Sequence, residues 1–141
     1  MQYLTVQDLV DLHRAVSAEY GGTQAHPGLV TSQFGLISVV QRPQVTTFGR
    51  DAYATFADKA AALVFALLDL RPFQGGNRRV ALASILAFCE LNRKAVDPKV
   101  LDEKAAENLV KRVATFRDAG IPAENIFREL KETLGRAIVA A

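Results

Sequence analysis

The sequence predicts an all-α fold. Apolar residues return at three- and four-residue spacing along most of the chain, residues that start and stop helices punctuate that pattern, and no strand pattern competes with it. With half of its 141 residues apolar, the chain has enough to build one core, and its length fits a single domain over residues 1–141.

The first helix is expected over Thr5 to Tyr20, with Val6, Leu9, Val10, His13, Val16 and Tyr20 on one stripe. Thr5 is its N-cap and Gly21-Gly22 its stop. A second helix, Leu29 to Val40, carries Leu29, Val30, Phe34, Ile37 and Val40 inward and ends before Pro43, because proline disfavours a helical residue ahead of it. Gln44-Val45-Thr46-Thr47-Phe48 is short, β-branched and closed by Gly49, and reads as an exposed extended loop or small hairpin.

From Asp51 to Leu70 a long helix buries Tyr53, Ala57, Ala60, Ala61, Val64, Leu67 and Leu68, its alanines permitting close approach of neighbours. The next helix, Asn77 to Leu91, has almost no polar face, which predicts that other helices surround it at the centre of the bundle. Asp97-Pro98 has the N-cap and first-position chemistry of a helix start, carrying Val100, Leu101, Ala105, Leu109 and Val113 inward. Ile126, Phe127, Leu130, Leu134 and Ile138 mark a last helix from near Pro122.

The charge pattern excludes several functions. Seventeen basic and 15 acidic residues are interspersed, which argues against a dedicated nucleic-acid surface. No apolar run approaches the length of a membrane span, and Met1 to Leu12 lacks the basic start and apolar stretch of a signal peptide. The single cysteine, Cys89, forms no intramolecular disulfide, so a reducing cytoplasm is the simplest location. No metal-ligand spacing is visible.

One segment carries chemistry. Arg71-Pro72-Phe73-Gln74-Gly75-Gly76-Asn77-Arg78-Arg79 holds two adjacent glycines and three arginines, contains no acid, and opens directly into a helix. Glycine permits positive φ, which lets successive amides converge on an anion, and the helix N-terminus adds partial positive charge. Arg78 and Arg79 oppose the dipole of that first turn, a cost an anionic ligand offsets. The same Gly-Gly pair also reads as a plain link between two helices, with Arg71 favourably placed at the end of the preceding one. The loop alone leaves both readings open.

This stretch resembles the core motif of the Fic/Doc family, death-on-curing branch, His-Pro-Phe-x-Asp-Gly-Asn-Lys-Arg-x-Ala-Leu. Arg71 to Leu82 matches eight of its ten specified positions when Arg78 is taken as conservative for lysine. Leu12-His13, Tyr20-Gly21-Gly22, Pro27-Gly28-Leu29, Gln41-Arg42-Pro43 and Ala60-Ala61-Ala62-Leu63 resemble that branch in order and spacing, so that the likeness covers roughly residues 3 to 115. It implies a bundle of about six helices with a short extended flap before the long helix. In active relatives the motif histidine is the base for a target hydroxyl, the acidic residue holds magnesium against nucleotide phosphates, and the Gly-Asn-x-Arg part cradles those phosphates. The flap, here Gln44, Val45, Thr46, Thr47 and Phe48, would dock a target chain by strand addition. Members transfer nucleotidyl groups, and the death-on-curing branch transfers phosphate to a translation-factor hydroxyl.

Two motif positions depart from the pattern. Arg71 replaces the histidine and cannot serve as a general base, and Gly75 replaces the acidic residue and offers magnesium no carboxylate. The phosphate-cradling part, Gly76, Asn77, Arg78 and Arg79, remains, and with Gly75 it forms an expected phosphate or nucleotide site that is more cationic than the family pattern. The expected ligand is ATP or another nucleoside phosphate, held with weak magnesium dependence. His13 is expected to be a hydrogen-bonded structural residue, His26 a loop residue, Cys89 a core residue, and Asp69 to point away from the loop. The inhibitory motif Ser/Thr-x-x-x-Glu-Gly/Asn of some relatives is absent, since Glu103 and Gly120 stand where it requires Ser or Thr. The leading function is a degenerate Fic/Doc protein that binds a phosphate-bearing ligand, with weak or absent transferase activity. The alternatives are an active toxin-type phosphotransferase or nucleotidyltransferase and a non-catalytic partner-binding module, with an antitoxin and a translation factor or other protein as the expected partners.

Overall fold

The computed structural model describes residues 1–20 and 30–141. Among them are six α-helices and two small antiparallel pairs of strands. The Gly21-Gly22 stop, His26, Pro27-Gly28 and the Leu29 start lie outside the described residues.

Helix α1 runs Val6–Tyr20, closed by a reciprocal cap. The Asp8 amide donates to Thr5 Oγ1 at 3.1 Å and the Thr5 amide to Asp8 Oδ2 at 2.9 Å. Helix α2 is shorter than expected, Gln33–Gln41, because Ser32 caps it through the Gly35 amide at 2.9 Å while Val30 is engaged in a β-bridge with Phe73. Leu36, Val39 and Val40 are buried, Val40 as expected, whereas the expected core residues Phe34 and Ile37 are exposed. A single 3-10 turn, Arg42–Gln44, then leads into a hairpin of β1 (Thr46–Thr47) and β2 (Arg50–Asp51). Asp51 therefore belongs to the hairpin. Helix α3 begins only at Phe56, where Thr55 caps the Asp58 amide at 3.0 Å, and it ends at Leu70.

Helix α4 spans Asn77–Leu91, as its sequence predicts. It is α3, however, that is the more enclosed of the two. Its alanines let α2, α4, α5 and α6 pack closely around it, and almost all of Lys59 to Leu68 is buried. Helix α4 packs on α1, α3 and α5 but leaves Leu86 59% exposed.

Asp97-Pro98 opens a turn rather than a helix. Asp97 Oδ1 accepts from the Lys99 amide at 2.9 Å, and α5 starts at Glu103 behind a second cap, Asp102, leaving Val100 exposed. Helix α6 runs Ala123–Ala137 from Pro122 and buries Ile126, Leu130 and Leu134 against α3. Ile138 continues into a strand the sequence does not predict. Strand β4 (Ile138–Ala140) pairs antiparallel with β3 (Lys94–Val96). Both extremes of the sequence meet the turn that follows α4. The Gln2 amide donates to Asn92 Oδ1 and Asn92 Nδ2 to the Gln2 carbonyl, both at 2.8 Å, and the Ala141 amide reaches the Arg93 carbonyl at 3.1 Å.

Among the described residues no helix is long and apolar enough to cross a membrane.

Candidate functional site

Three surroundings fix the loop between α3 and α4. At its start Arg71 ends α3 in the left-handed region, φ 47°, its amide donating to the Leu67 carbonyl at 3.0 Å. Next, the Pro72 carbonyl accepts from the Thr31 amide at 2.8 Å, the Ser32 amide at 3.3 Å and Thr31 Oγ1 at 3.2 Å. Pro72 and Phe73 are buried. Third, the Asn77 side chain brackets Phe73, accepting from its amide at 3.2 Å and donating to its carbonyl at 3.0 Å. The Asn77 side-chain amide thus shapes the loop, and its backbone N–H has no acceptor among the described residues.

Gly75 and Gly76 both have positive φ, 72° and 73°. Such pairs are costly for residues with a Cβ, so two glycines meet the need of the turn. Gly76 is the N-cap of α4 and supplies no side-chain acceptor, so the amides of Gly76, Asn77 and Arg78 have no acceptor among the described residues. These are the orphan donors of a 15-residue helix, and of their residues Gly76 and Arg78 are exposed and Asn77 is half-buried.

His13 joins the loop from α1. Its ring is 1% exposed, its Nε2–H donates to the Gly75 carbonyl at 2.9 Å, and it stacks on Phe73 with ring centres 4.3 Å apart at 8°. A carbonyl partner requires the proton on Nε2. The side chains of Arg71 and Arg78 are exposed, with no hydrogen bond or ion pair to a described residue. Asp69 turns away from them and pairs with Arg117 at 2.8 Å.

Two other expected groups are accounted for. Cys89 is buried in the core, and burial pushes its thiol up to about 11, against a small lowering by the nearby Lys94 ammonium. Such a thiol is inert at neutral pH. The flap residues form the approach to the hairpin and its first strand. Gln44 Nε2 donates to the Val40 carbonyl at 3.0 Å, the Ala52 amide donates to Val45, Thr46 and Thr47 form β1, and Phe48 is the fully exposed tip at φ 52°.

The Fic/DOC family profile matches residues 3–89, more than half the chain and the whole span from α1 through most of α4. A second comparison agrees with it: "Toxin Doc" of Mycolicibacterium smegmatis (strain ATCC 700084 / mc(2)155) is 37% identical over 111 residues, covering 77% of this chain and 79% of the relative.

The chain belongs to the Fic/DOC family.

The all-α bundle is thus a Fic/DOC fold, and the arginine loop lies inside the family match. Beside it a groove of about 730 Å³ runs between α4 and α5, lined by Leu82, Ala83 and Leu86 on one side and Leu101 and Ala106 on the other. Arg79 borders this groove as well as the loop, with Glu103 and Glu107 on the opposite rim. Sequence reasoning missed the groove, the Thr31 and Ser32 contacts to Pro72, and the His13 bond to Gly75. His13 stood on a predicted buried stripe, but nothing local to it points to a residue so far along the chain.

Proposed function

We propose that this Fic/DOC chain binds a phosphate-bearing ligand, a nucleoside phosphate such as ATP, at Arg71 to Arg79, without magnesium and with weak or absent transferase chemistry. The observation that carries this reading is the set of acceptor-free amides of Gly76, Asn77 and Arg78 at the start of α4 beside the exposed cations Arg71 and Arg78. Amides at a helix start and guanidinium groups both hold phosphate oxygens, and an anion there also relieves the clash of Arg78 and Arg79 with the helix dipole.

The residues do not fit magnesium. Gly75 contributes no carboxylate, and among the described residues no group of three or more His, Cys, Asp or Glu could hold a metal ion. Nor does Arg71 supply a base, since a guanidinium stays protonated at any working pH. His13 holds its Nε2 proton against Gly75 and is buried, which keeps it from replacing that base. On this reading the motif is degenerate, and the chain acts as one domain over 1–141.

The test is calorimetry with ATP, GTP and inorganic phosphate, with and without magnesium. Submillimolar to millimolar binding is expected, weakened at least about tenfold in Arg79→Ala and falling with added salt. Binding that vanishes with chelator at constant ionic strength, or no binding to any of the three, rejects the reading.

A second reading is favoured by the likeness to a protein named as a toxin. On it the chain is a transferase acting on a protein hydroxyl, restrained by an antitoxin. The groove beside Arg79 supports a partner at that point. Labelled ATP incubated with a cell lysate separates the two readings, because only the second yields a labelled protein band.

A further inference from the structure

We propose that His13 is a positioning residue for this loop: its Nε2–H, bonded to the Gly75 carbonyl, sets the peptide plane between Gly75 and Gly76 and so aims the Gly76 amide at the ligand. The inference rests on the reading of the loop as a phosphate site. It assigns the geometry of that site to a side chain that never touches the ligand.

The peptide between Gly75 and Gly76 is trans, and in a trans unit the carbonyl and the following N–H point in opposite directions. A Gly75 carbonyl bonded to His13 at 2.9 Å therefore turns the Gly76 N–H away from His13, at the end of α4 where the Asn77 and Arg78 amides also have no acceptor among the described residues. Nothing in the two glycines themselves selects this orientation. Glycine has no Cβ to bias the plane, and no atom lies within 4 Å of where a Cβ on Gly75 would be. An external donor has to make the choice.

His13 is equipped to make it. The ring is buried and lies nearly parallel to Phe73, which is itself held at both backbone groups by Asn77 and bridged to Val30. It also closes one side of Gly76, since a Cβ there would stand 3.3 Å from Nε2. The carbonyls of Pro72, Phe73 and Gly75 are each tied to a protein donor, while the amides of Gly76, Asn77 and Arg78 have no acceptor among the described residues. An anion site needs this polarity.

The experiment uses the full chain in three forms. His13→Phe keeps an aromatic ring against Phe73 but has no donor, and His13→Gln keeps an N–H donor of similar reach. In the ligand-free proteins, 15N relaxation of Gly76 should show microsecond to millisecond exchange in His13→Phe, and none in the wild type or His13→Gln. Phosphate and ATP affinity should fall about tenfold in His13→Phe and recover in His13→Gln, with Arg79→Ala as the reference for loss of the site. Unchanged Gly76 relaxation together with wild-type affinity in His13→Phe overturns the proposal. Should that variant fail to fold, long-range proton–nitrogen spectra of the wild-type ring decide instead. The proton is expected on Nε2, and a bare Nε2 overturns the assignment because it cannot donate to a carbonyl. If the wild type binds neither phosphate nor ATP, the functional reading of the loop fails, while the Gly76 relaxation and ring spectra still decide whether His13 sets the plane.

Discussion

Arg71, Gly75 and Gly76 all lie on the left-handed side of the backbone map, at φ of 47°, 72° and 73°. For arginine that conformation costs about 1 kcal/mol, whereas histidine, asparagine and aspartate occur there more readily. Of the two substitutions toward the family pattern described above, only the one at Arg71 suits the backbone already present. Arg71→His places a residue better suited to that φ, whereas Gly75→Asp adds a Cβ that meets no atom within 4 Å but sits at φ 72°, which strains any residue with a side chain. The double variant is expected to fold with a stability loss of about 1–2 kcal/mol, set by the strain at Gly75, and to gain transfer of label from ATP to a protein. Each single variant should gain far less, because base and metal ligand serve one transition state. A wild type that labels a target as strongly as the double variant would establish an active enzyme with different chemistry. At this scale the positive φ of the glycines was legible, because Gly-Gly before a helix has few other uses. The contact of His13 with Gly75 was not, because sequence carries no local signal for a partner 62 residues away.

The hairpin shows what an element borrows from its neighbours. Two pairs of residues, Thr46 with Asp51 and Thr47 with Arg50, are too few to stand alone in water. The hairpin is fastened to α3 by Lys59, whose ammonium is buried and donates to Asp51 Oδ2 at 3.2 Å and to the Tyr53 carbonyl at 2.6 Å. Asp51→Ala should leave a buried cation with one neutral partner and cost about 1–3 kcal/mol in urea denaturation. Lys59→Met, which removes the charge and keeps the apolar stem, should cost less. Both should speed amide exchange across Thr46 to Asp51 relative to α6, and an unchanged exchange pattern in both would dismiss Lys59 as the fastening. The helix patterns were readable because α1, α3, α4 and α6 bury continuous stripes. Starts were less so: Asp97-Pro98 carries the chemistry of a cap but closes a turn, and the true cap, Asp102, follows five residues later. The pair β3–β4 left no alternating pattern, since each strand has only three residues and exists through the other.

Across the whole molecule, one titratable group reports on the core. Cys89 keeps its proton to about pH 11 when folded, whereas its ordinary value is 9.0. Between those values the unfolded chain loses a proton that the folded one retains, so stability falls as pH rises from 9 and the loss levels off near 11. At pH 10 the term amounts to about 1 kcal/mol, and Cys89→Ala should show a correspondingly smaller fall in urea midpoint between pH 8 and 10. An identical fall in both proteins would mean that other groups account for it. The architecture as a whole was legible, because helical periodicity and core composition are properties of long stretches. The identity of the most enclosed helix was not: the apolar run of α4 looks more buried than α3, yet alanines rather than large side chains allow neighbours to close around a helix. Finally, α4 is a rod of 15 residues, about 22 Å long at 1.5 Å per residue, with the arginine loop at one tip and the Asn92–Arg93 turn at the other. Residues 2 and 141 are both moored to that far tip. A molecule tethered to a sensor surface through either of them holds its arginines roughly one helix length from the support, facing solution.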